Sequence, residues 1–338
     1  MRKLKFAILS FAHVHAWSYA RVLKSLEEAE LVAIYDDDPE RLKRAAETYR
    51  VKDLYSDYQR LLKREDIDAV IIASENAKHA ELAIAAAEAG KHMIVEKPLA
   101  TTLKDAERMI RAAEKAGVKL QQAFVMRYHD VTVMVKNIIE QGAVGRILAI
   151  TTTNHGKFPD LWFDDPKLAG GGAVMDHVVH TADLIRWYTG KEVDEVYAVI
   201  GRNIRPQLRS EDCALISLKF ESGAIGSIDC SWSRPDTFYT WGDVFLAIHG
   251  TDGFIFVDAF RPCINVVIEG KPLAWHYYGP DADYNMIRDF VYAVQEDRPP
   301  RATGYDGYKA LEVSIAAYES ARKGLPVKLP LQNSKASG

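Results

Sequence analysis

The sequence predicts an α/β chain in two parts, an open parallel sheet followed by an α+β domain with a largely antiparallel sheet. Three observations carry this. Between residues 6 and 124, short apolar runs alternate with stretches of helix length, the pattern of parallel βαβ units. After about residue 125, longer runs with period-two alternation take over, as half-buried strands require. The length, 338 residues, also exceeds that of most single domains. The expected division is 1–124 and 125–338.

In the first part, Phe6-Ala7-Ile8-Leu9 reads as a buried strand and His15 to about Leu26 as a helix. Leu31 to Tyr35 is a second strand, ending in Asp36-Asp37-Asp38-Pro39, and a polar helix runs from Pro39 to about Tyr49. Ala69 to Ala73 is another strand, followed by an alanine-rich helix closed by Gly90. His92 to Val95 is the next. Thr102, with Asp105 three residues on, resembles a capping box. Ala106, Met109, Ile110 and Ala113 then share one helical face, and Lys119 to Phe124 closes the set.

In the second part, a helix spans about Val131 to Gln141 and a strand runs from Gly145 to about Asn154. Residues 214, 216, 218 and 220 are all apolar, and Ala224 to Trp232 repeats the alternation after Ser222-Gly223, suggesting a hairpin. Further strands fit Phe245–His249, Gly253–Val257 and Ile264–Glu269, before helices at about 282–296 and 305–323.

Net charge is −4, from 43 basic and 47 acidic residues, so electrostatics offer no case for nucleic acid or an anionic membrane. No run approaches a membrane span. Met1-Arg2-Lys3-Leu4-Lys5 before an apolar run imitates a secretory signal, but His13 and His15 break the run. Cys213, Cys230 and Cys263 are odd in number and form no Cys-x-x-Cys pair, which fits a reducing cytoplasm.

Glu96-Lys97-Pro98 is the most pointed motif. It ends a buried strand, and the carboxyl edge of an open α/β sheet is where ligands bind. The proline restricts Lys97, so the lysine is aimed. A solvated strand end is the bland alternative. If the first domain binds a dinucleotide, its first turn departs from G-x-G-x-x-G. Ser10-Phe11-Ala12-His13-Val14-His15 replaces every glycine. The helix amino terminus still offers N–H groups and a positive dipole, and His13 or the Ser10 hydroxyl can add a donor. Asp36 ends the second strand, where an acidic residue binds a ribose diol. No arginine follows immediately, while Asp37 and Asp38 do, which favours NAD over NADP. A turn-forming aspartate before Pro39 is the rival reading.

Gly170-Gly171-Gly172 precedes a helical pattern carrying Asp176, His177 and His180. The glycine run suits a close backbone approach to a ligand. Asp176 and His180 are four apart, on one helix face, so the carboxylate can tune an acid/base histidine. A surface ion pair is the alternative. Metal binding by Asp176, His177 and His180, with His13 and His15 as distant candidates, matches no zinc spacing, and no metal is expected.

Taken together, these motifs resemble the glucose-fructose oxidoreductase/inositol dehydrogenase/rhizopine catabolism (Gfo/Idh/MocA) family. So do Ser74-Glu75-Asn76 with His79, Ala89-Gly90-Lys91-His92, and Gly324-x-Pro326-Val327 with Leu329-Pro330. The resemblance covers nearly the whole chain. It implies a Rossmann domain plus an open-faced sheet domain that assembles into dimers or tetramers through the sheet. It implies that Lys97 contacts the reacting hydroxyl and the nicotinamide ribose, that His180 is the acid/base, and that Asp176 orients it or binds substrate. Ser10, Phe11, Ala12, His13, Val14, Asp36, Ser74, Asn76, Glu96 and Lys97 are the expected cofactor residues. Arg127, His155, Trp162 and His177 are candidate substrate contacts, although Trp162 with Phe163 reads equally well as core. Val178 stands where the family often has glycine.

The function expected is a cytoplasmic NAD-dependent dehydrogenase acting on a sugar, polyol or sugar-derived acid. NAD-assisted glycoside cleavage without net redox, or a sensor that kept the fold and lost turnover, are the alternatives.

Overall fold

The computed structural model describes residues 2–159, 161–260, 263–266, 269, 274–277 and 279–331. The chain forms two compact units, Met1–Tyr128 with Pro280–Tyr308, and His129–Gly279 with Lys309–Gly338. The single boundary expected at 124/125 therefore gives way to a chain that returns to its first unit. The physical reason is burial. Helix Ala282–Gln295 places Met286, Ile287, Phe290 and Val291 in the same apolar cluster as Phe6, Ile8 and Ile34.

In the first unit, strands β1 (Leu4–Leu9), β2 (Ala29–Tyr35), β3 (Asp53–Tyr55), β4 (Ala69–Ile72), β5 (His92–Val95) and β6 (Leu120–Gln122) form one sheet in the order β3-β2-β1-β4-β5-β6. Every pairing is parallel. The continuous apolar runs are the consequence, since a parallel sheet covered on both faces has no wet side. Helices α1 (His15–Ser25), α2 (Pro39–Tyr49), α3 (Tyr58–Leu62), α4 (His79–Glu88) and α5 (Leu103–Ala116) connect these strands. Asp38 caps α2 by accepting the Glu40 and Arg41 N–H groups, and Thr102 caps α5 through the Asp105 N–H. Strand β3 has no counterpart in the sequence reading. It is three residues long with no buried side chain, so it carries no periodic signal.

The second unit is built on β7 (Ile147–Lys157), β8 (Val193–Gly201), β9 (Cys213–Phe220), β10 (Ile225–Arg234), β11 (Gly242–Asp243), β12 (Phe245–Gly250), β13 (Phe254–Asp258), β14 (Cys263–Val266), β15 (Ala274–Tyr277) and β16 (Val327–Lys328). The main sheet runs β13-β12-β7-β10-β9-β8-β16, with β11 beside β7. It is antiparallel except for the parallel pair β7/β10. The hairpin β9/β10 forms as expected. Of the expected strand 264–269, residues 267 and 268 lie outside the described ones, and Cys263–Val266 pairs with Ala274–Tyr277. Helices α6 (Asp130–Glu140), α7 (Pro166–Ala169) and α8 (Val179–Thr189) belong to this unit, and α8 packs on β7 and β10. Along β9, Ala214, Ile216, Leu218 and Phe220 are buried. The alternate positions of the sheet leave Tyr197, Val199, Leu215, Ile225, Phe254 and Phe256 exposed by 39 to 73%. Among the described residues, no helix is long and apolar enough to cross a membrane.

Candidate active site

The turn between β1 and α1 solves its missing glycines with side-chain bonds. Ser10 sits at φ 76°, in the left-handed region. A non-glycine residue there costs about 1–2 kcal/mol. The Ser10 N–H donates to the Tyr35 carbonyl (2.7 Å), and its hydroxyl oxygen accepts the Ala12 N–H (3.1 Å). The hydroxyl itself donates to Asp36 Oδ2 at 3.4 Å. Asp36 also accepts from the Phe11 N–H (2.7 Å), the Asp38 N–H (2.8 Å) and Arg41 Nη2 (2.8 Å). The His13 N–H goes to the Ala73 carbonyl (2.9 Å) and the His15 N–H to His13 Nδ1 (3.2 Å). A glycine loop offers such amides to a pyrophosphate. Here the amides of Phe11, Ala12, His13 and His15 are engaged by the protein.

Asp36 is only 1% exposed, and its carboxylate is taken up by the turn amides and by Arg41. An arginine does reach it, because Arg41 lies in the first turn of α2 and folds back onto both Asp36 and Asp37. The side chain that faces open space is Asp37. A cavity at the carboxyl ends of β1, β2 and β4 is lined by Ser10, Tyr35, Asp37, Ser74 and Lys78. Lys78 Nζ is 2.6 Å from Asp37 Oδ2 and 3.0 Å from Glu75 Oε2. The strand order reverses between β1 and β4, which is where open α/β sheets take their ligands. These groups suit the nucleoside end of a dinucleotide. Asn76, also expected to bind it, is buried at the start of a short helical turn, Asn76–Lys78.

Glu96 and Lys97 follow β5 and are both buried. Glu96 Oε2 accepts the Lys97 N–H at 2.9 Å. Its Oε1 takes the Tyr19 hydroxyl and His15 Nδ1 (3.0 Å), with His13 Nδ1 at 3.8 Å. Burial alone would raise the Glu96 carboxyl, but His13, His15 and Lys97 together hold it well below the usual carboxylate range. Burial opposes the charged form of His15, yet Glu96 raises that histidine overall. His79 fastens the motif from the other side, with Nδ1 2.9 Å from the Pro98 carbonyl and Nε2 3.3 Å from the Ser74 carbonyl. Burial lowers this histidine below its ordinary value. Lys97 is thus positioned through a neighbour clamped on three sides.

In the second unit, the glycine run serves the protein's own packing. A Cβ on Gly171 would fall 2.0 Å from the Tyr318 hydroxyl, and one on Gly172 would fall 2.0 Å from the Glu211 carbonyl. Glu211 Oε1 accepts the N–H groups of Gly172 (2.8 Å) and Val174 (3.1 Å) and the Tyr318 hydroxyl (2.6 Å). It therefore acts as the cap for the helix start, satisfying donors that have no intrahelical partner. Burial pushes its carboxyl up, against those donors. The segment Val174–Val178 is a π-helix that leads into α8. Such widened turns often lie at functional sites. Asp176 accepts from Trp232 Nε1 (2.9 Å) and pairs with His177 Nε2 (3.2 Å). His180 is half-buried at the start of α8.

The other candidates are placed differently. His177 is 3% exposed, with Nδ1 3.0 Å from the Asn154 carbonyl, and it packs where a Cβ on Gly156 would fall 2.9 Å from its ring. His155 lies between Asn154 and Gly156 and so projects to the opposite face of β7, away from Asp176. There it pairs with Asp243 (3.0 Å) and Asp229 (3.1 Å). Arg127 is engaged within the first unit by the Arg301 carbonyl (2.6 Å) and Asp306 (2.9 Å). Trp162 is buried and stacked on Phe163 with ring centres 4.0 Å apart, which favours the core reading. Tyr19, Arg41, Trp232, Glu211 and Tyr318 escaped sequence reasoning. Only Arg41, one turn beyond its aspartates, left a readable signal.

The fold and these residues define a dinucleotide-binding oxidoreductase. Residues 10–124 match the model of the oxidoreductase family with an NAD-binding Rossmann fold, and residues 132–256 match the GFO/IDH/MocA C-terminal domain. The chain belongs to the Gfo/Idh/MocA family of oxidoreductases. It is 32% identical to a myo-inositol 2-dehydrogenase of Thermotoga maritima, over 92% of this chain and 94% of that one. It is 30% identical to a D-apiose dehydrogenase of Paraburkholderia graminis, over 94% and 86%. A solved structure of a probable dehydrogenase from Thermotoga maritima superposes with a TM-score of 0.85 at 29% identity, covering 96% of this chain and 98% of that chain.

Proposed function

We propose that this protein is an NAD-dependent dehydrogenase that oxidises a hydroxyl of a sugar, polyol or sugar-derived acid. The observation that carries the reading is Lys97, aimed by the clamped Glu96 at the carboxyl end of β5 in a parallel, dinucleotide-binding sheet. The names of the inositol and apiose dehydrogenases support the substrate class. The nicotinamide, when bound, supplies the hydride acceptor. Lys97 hydrogen-bonds the substrate oxygen and stabilises its developing negative charge. His180 takes the hydroxyl proton, and Asp176, fixed by Trp232, holds the helix segment that carries it. Asp37, facing the cavity, receives the adenosine ribose of the bound NAD.

The second unit assembles two or four copies through the exposed apolar face of its sheet. Six large apolar side chains on one face exceed what a monomer ordinarily leaves wet.

Calorimetry with NAD, NADH and NADP, followed by NADH absorbance over a panel of polyols and aldoses, tests the reading. Turnover with NAD and loss of at least ~100-fold in kcat for Lys97→Met, with NAD still bound, is the expected result. No cofactor binding at millimolar concentration would favour the sensor reading, which the engaged turn amides motivate.

A further inference from the structure

The histidines of the first turn form, with Glu96, a cluster whose capacity to hold an ion the dehydrogenase reading leaves unused. His13 lies in the turn, His15 opens α1, and Glu96 ends β5. Although Glu96 is 81 residues from His15, the two meet at 3.0 Å. One donor atom from each of His13, His15 and Glu96 lies within 4.8 Å of the other two. The same Glu96 oxygen is 3.0 Å from His15 Nδ1 and 3.8 Å from His13 Nδ1. A tetrahedral zinc ion with ligands near 2.0–2.1 Å sets neighbouring ligand atoms about 3.3 Å apart. The two observed separations bracket that value.

We propose that His13, His15 and Glu96 form a binding site for one divalent transition-metal ion of the zinc class, ligated by two imidazole nitrogens and one carboxylate oxygen. Two histidines and a carboxylate are an established donor set for zinc, with a fourth position left for water or an anionic oxygen. The supporting layer is present. The Tyr19 hydroxyl and the Lys97 N–H both donate to the Glu96 carboxylate, which orients it as metal-ligating carboxylates usually are. Three interactions oppose binding. The ion must displace the His15 Nδ1–Glu96 hydrogen bond and take the Nδ1 lone pair of His13 that the His15 N–H now shares, and the Lys97 ammonium is a neighbouring cation. The carboxylate offsets one positive charge, and the ion compensates the lost N–H contact with a ligand bond. With the turn amides engaged, a bound cation restores positive charge where a pyrophosphate-binding turn needs it. The site stands apart from the dehydrogenase reading, because metal binding is measured without nicotinamide or substrate.

The test uses the full chain, stripped with chelator and titrated with Co²⁺ as a spectroscopic stand-in and with Zn²⁺ in competition. The expected result is one equivalent bound at micromolar concentration or below. His13→Ala and His15→Ala each weaken it by at least ~100-fold. His249→Ala, at an exposed histidine of β12, leaves it unchanged. Circular dichroism checks that the variants fold. If they do not, X-ray absorption of the zinc-loaded wild type decides. A shell with two imidazoles upholds the site, and one with fewer overturns it. Binding weaker than millimolar, or binding that the two turn variants leave intact, also overturns it. Metal binding without NAD turnover would uphold this site while sinking the dehydrogenase reading, and the reverse would do the opposite.

Discussion

Ser10 holds a glycine's conformation with a hydroxyl. Its oxygen bridges the Ala12 N–H and Asp36, so the left-handed backbone and the side chain support each other. Ser10→Ala keeps the strain and loses both bonds, and is expected to lower stability by about 1–2 kcal/mol in urea denaturation. Ser10→Gly removes strain and bonds together and should cost less. At His155, burial pulls the imidazole down, but Asp243 and Asp229 more than offset this and raise it overall. The sign follows. A raised folded value means that the stabilisation is fully present below the unfolded value of about 6.5 and is lost as pH rises through the folded value. Wild type and His155→Gln should therefore differ in stability at pH 6 and converge in alkaline solution. A constant gap across pH would show that the ion pairs contribute nothing.

At the scale of elements, the π-helix Val174–Val178 is a widened turn whose start is held by one carboxylate. Removing Glu211 strands the N–H groups of Gly172 and Val174 and the hydroxyl of Tyr318. Glu211→Ala is expected to cost about 2–4 kcal/mol, read from the melting transition. Because Asp176 and His180 ride on the held segment, kcat should fall further than the residual fold accounts for at low temperature. The strands and helices of the first unit other than β3 and the five-residue α3 were legible because each buries a continuous run or one helical face. The short strand β3 was not, since nothing in Asp53-Leu54-Tyr55 has a period. The segment carrying Asp176 and His180 was read as one regular helix. Spacing of four put Asp176 beside His180, but no local pattern announces a π-helix or gives Asp176 the partners Trp232 and His177.

At the scale of the molecule, the open sheet face leads to a test of assembly. Phe256→Glu and Leu215→Glu, both exposed in the single chain, should shift the protein to monomer in light scattering while leaving circular dichroism unchanged. An unchanged mass would remove that face as the interface. Membership of the two units was only partly readable. The break near residue 125 shows as a change of hydrophobic period, while the return of Pro280–Tyr308 to the first unit shows only in the core it completes.

The sequence alone determined what depends on near neighbours along the chain. It defined the parallel and antiparallel halves by their periods, the aimed Lys97 by the proline beside it, and the family by the order of its motifs. Tertiary structure decided what depends on residues far apart. It turned Asp36 inward and Asp37 toward the cavity, put His155 on the far face of its strand, used the glycine run for Glu211 and Tyr318, and brought His13 and His15 to Glu96. A contact between residues tens of positions apart leaves no period in the chain. Only the folded backbone sets the distance at which charge and hydrogen bonding act.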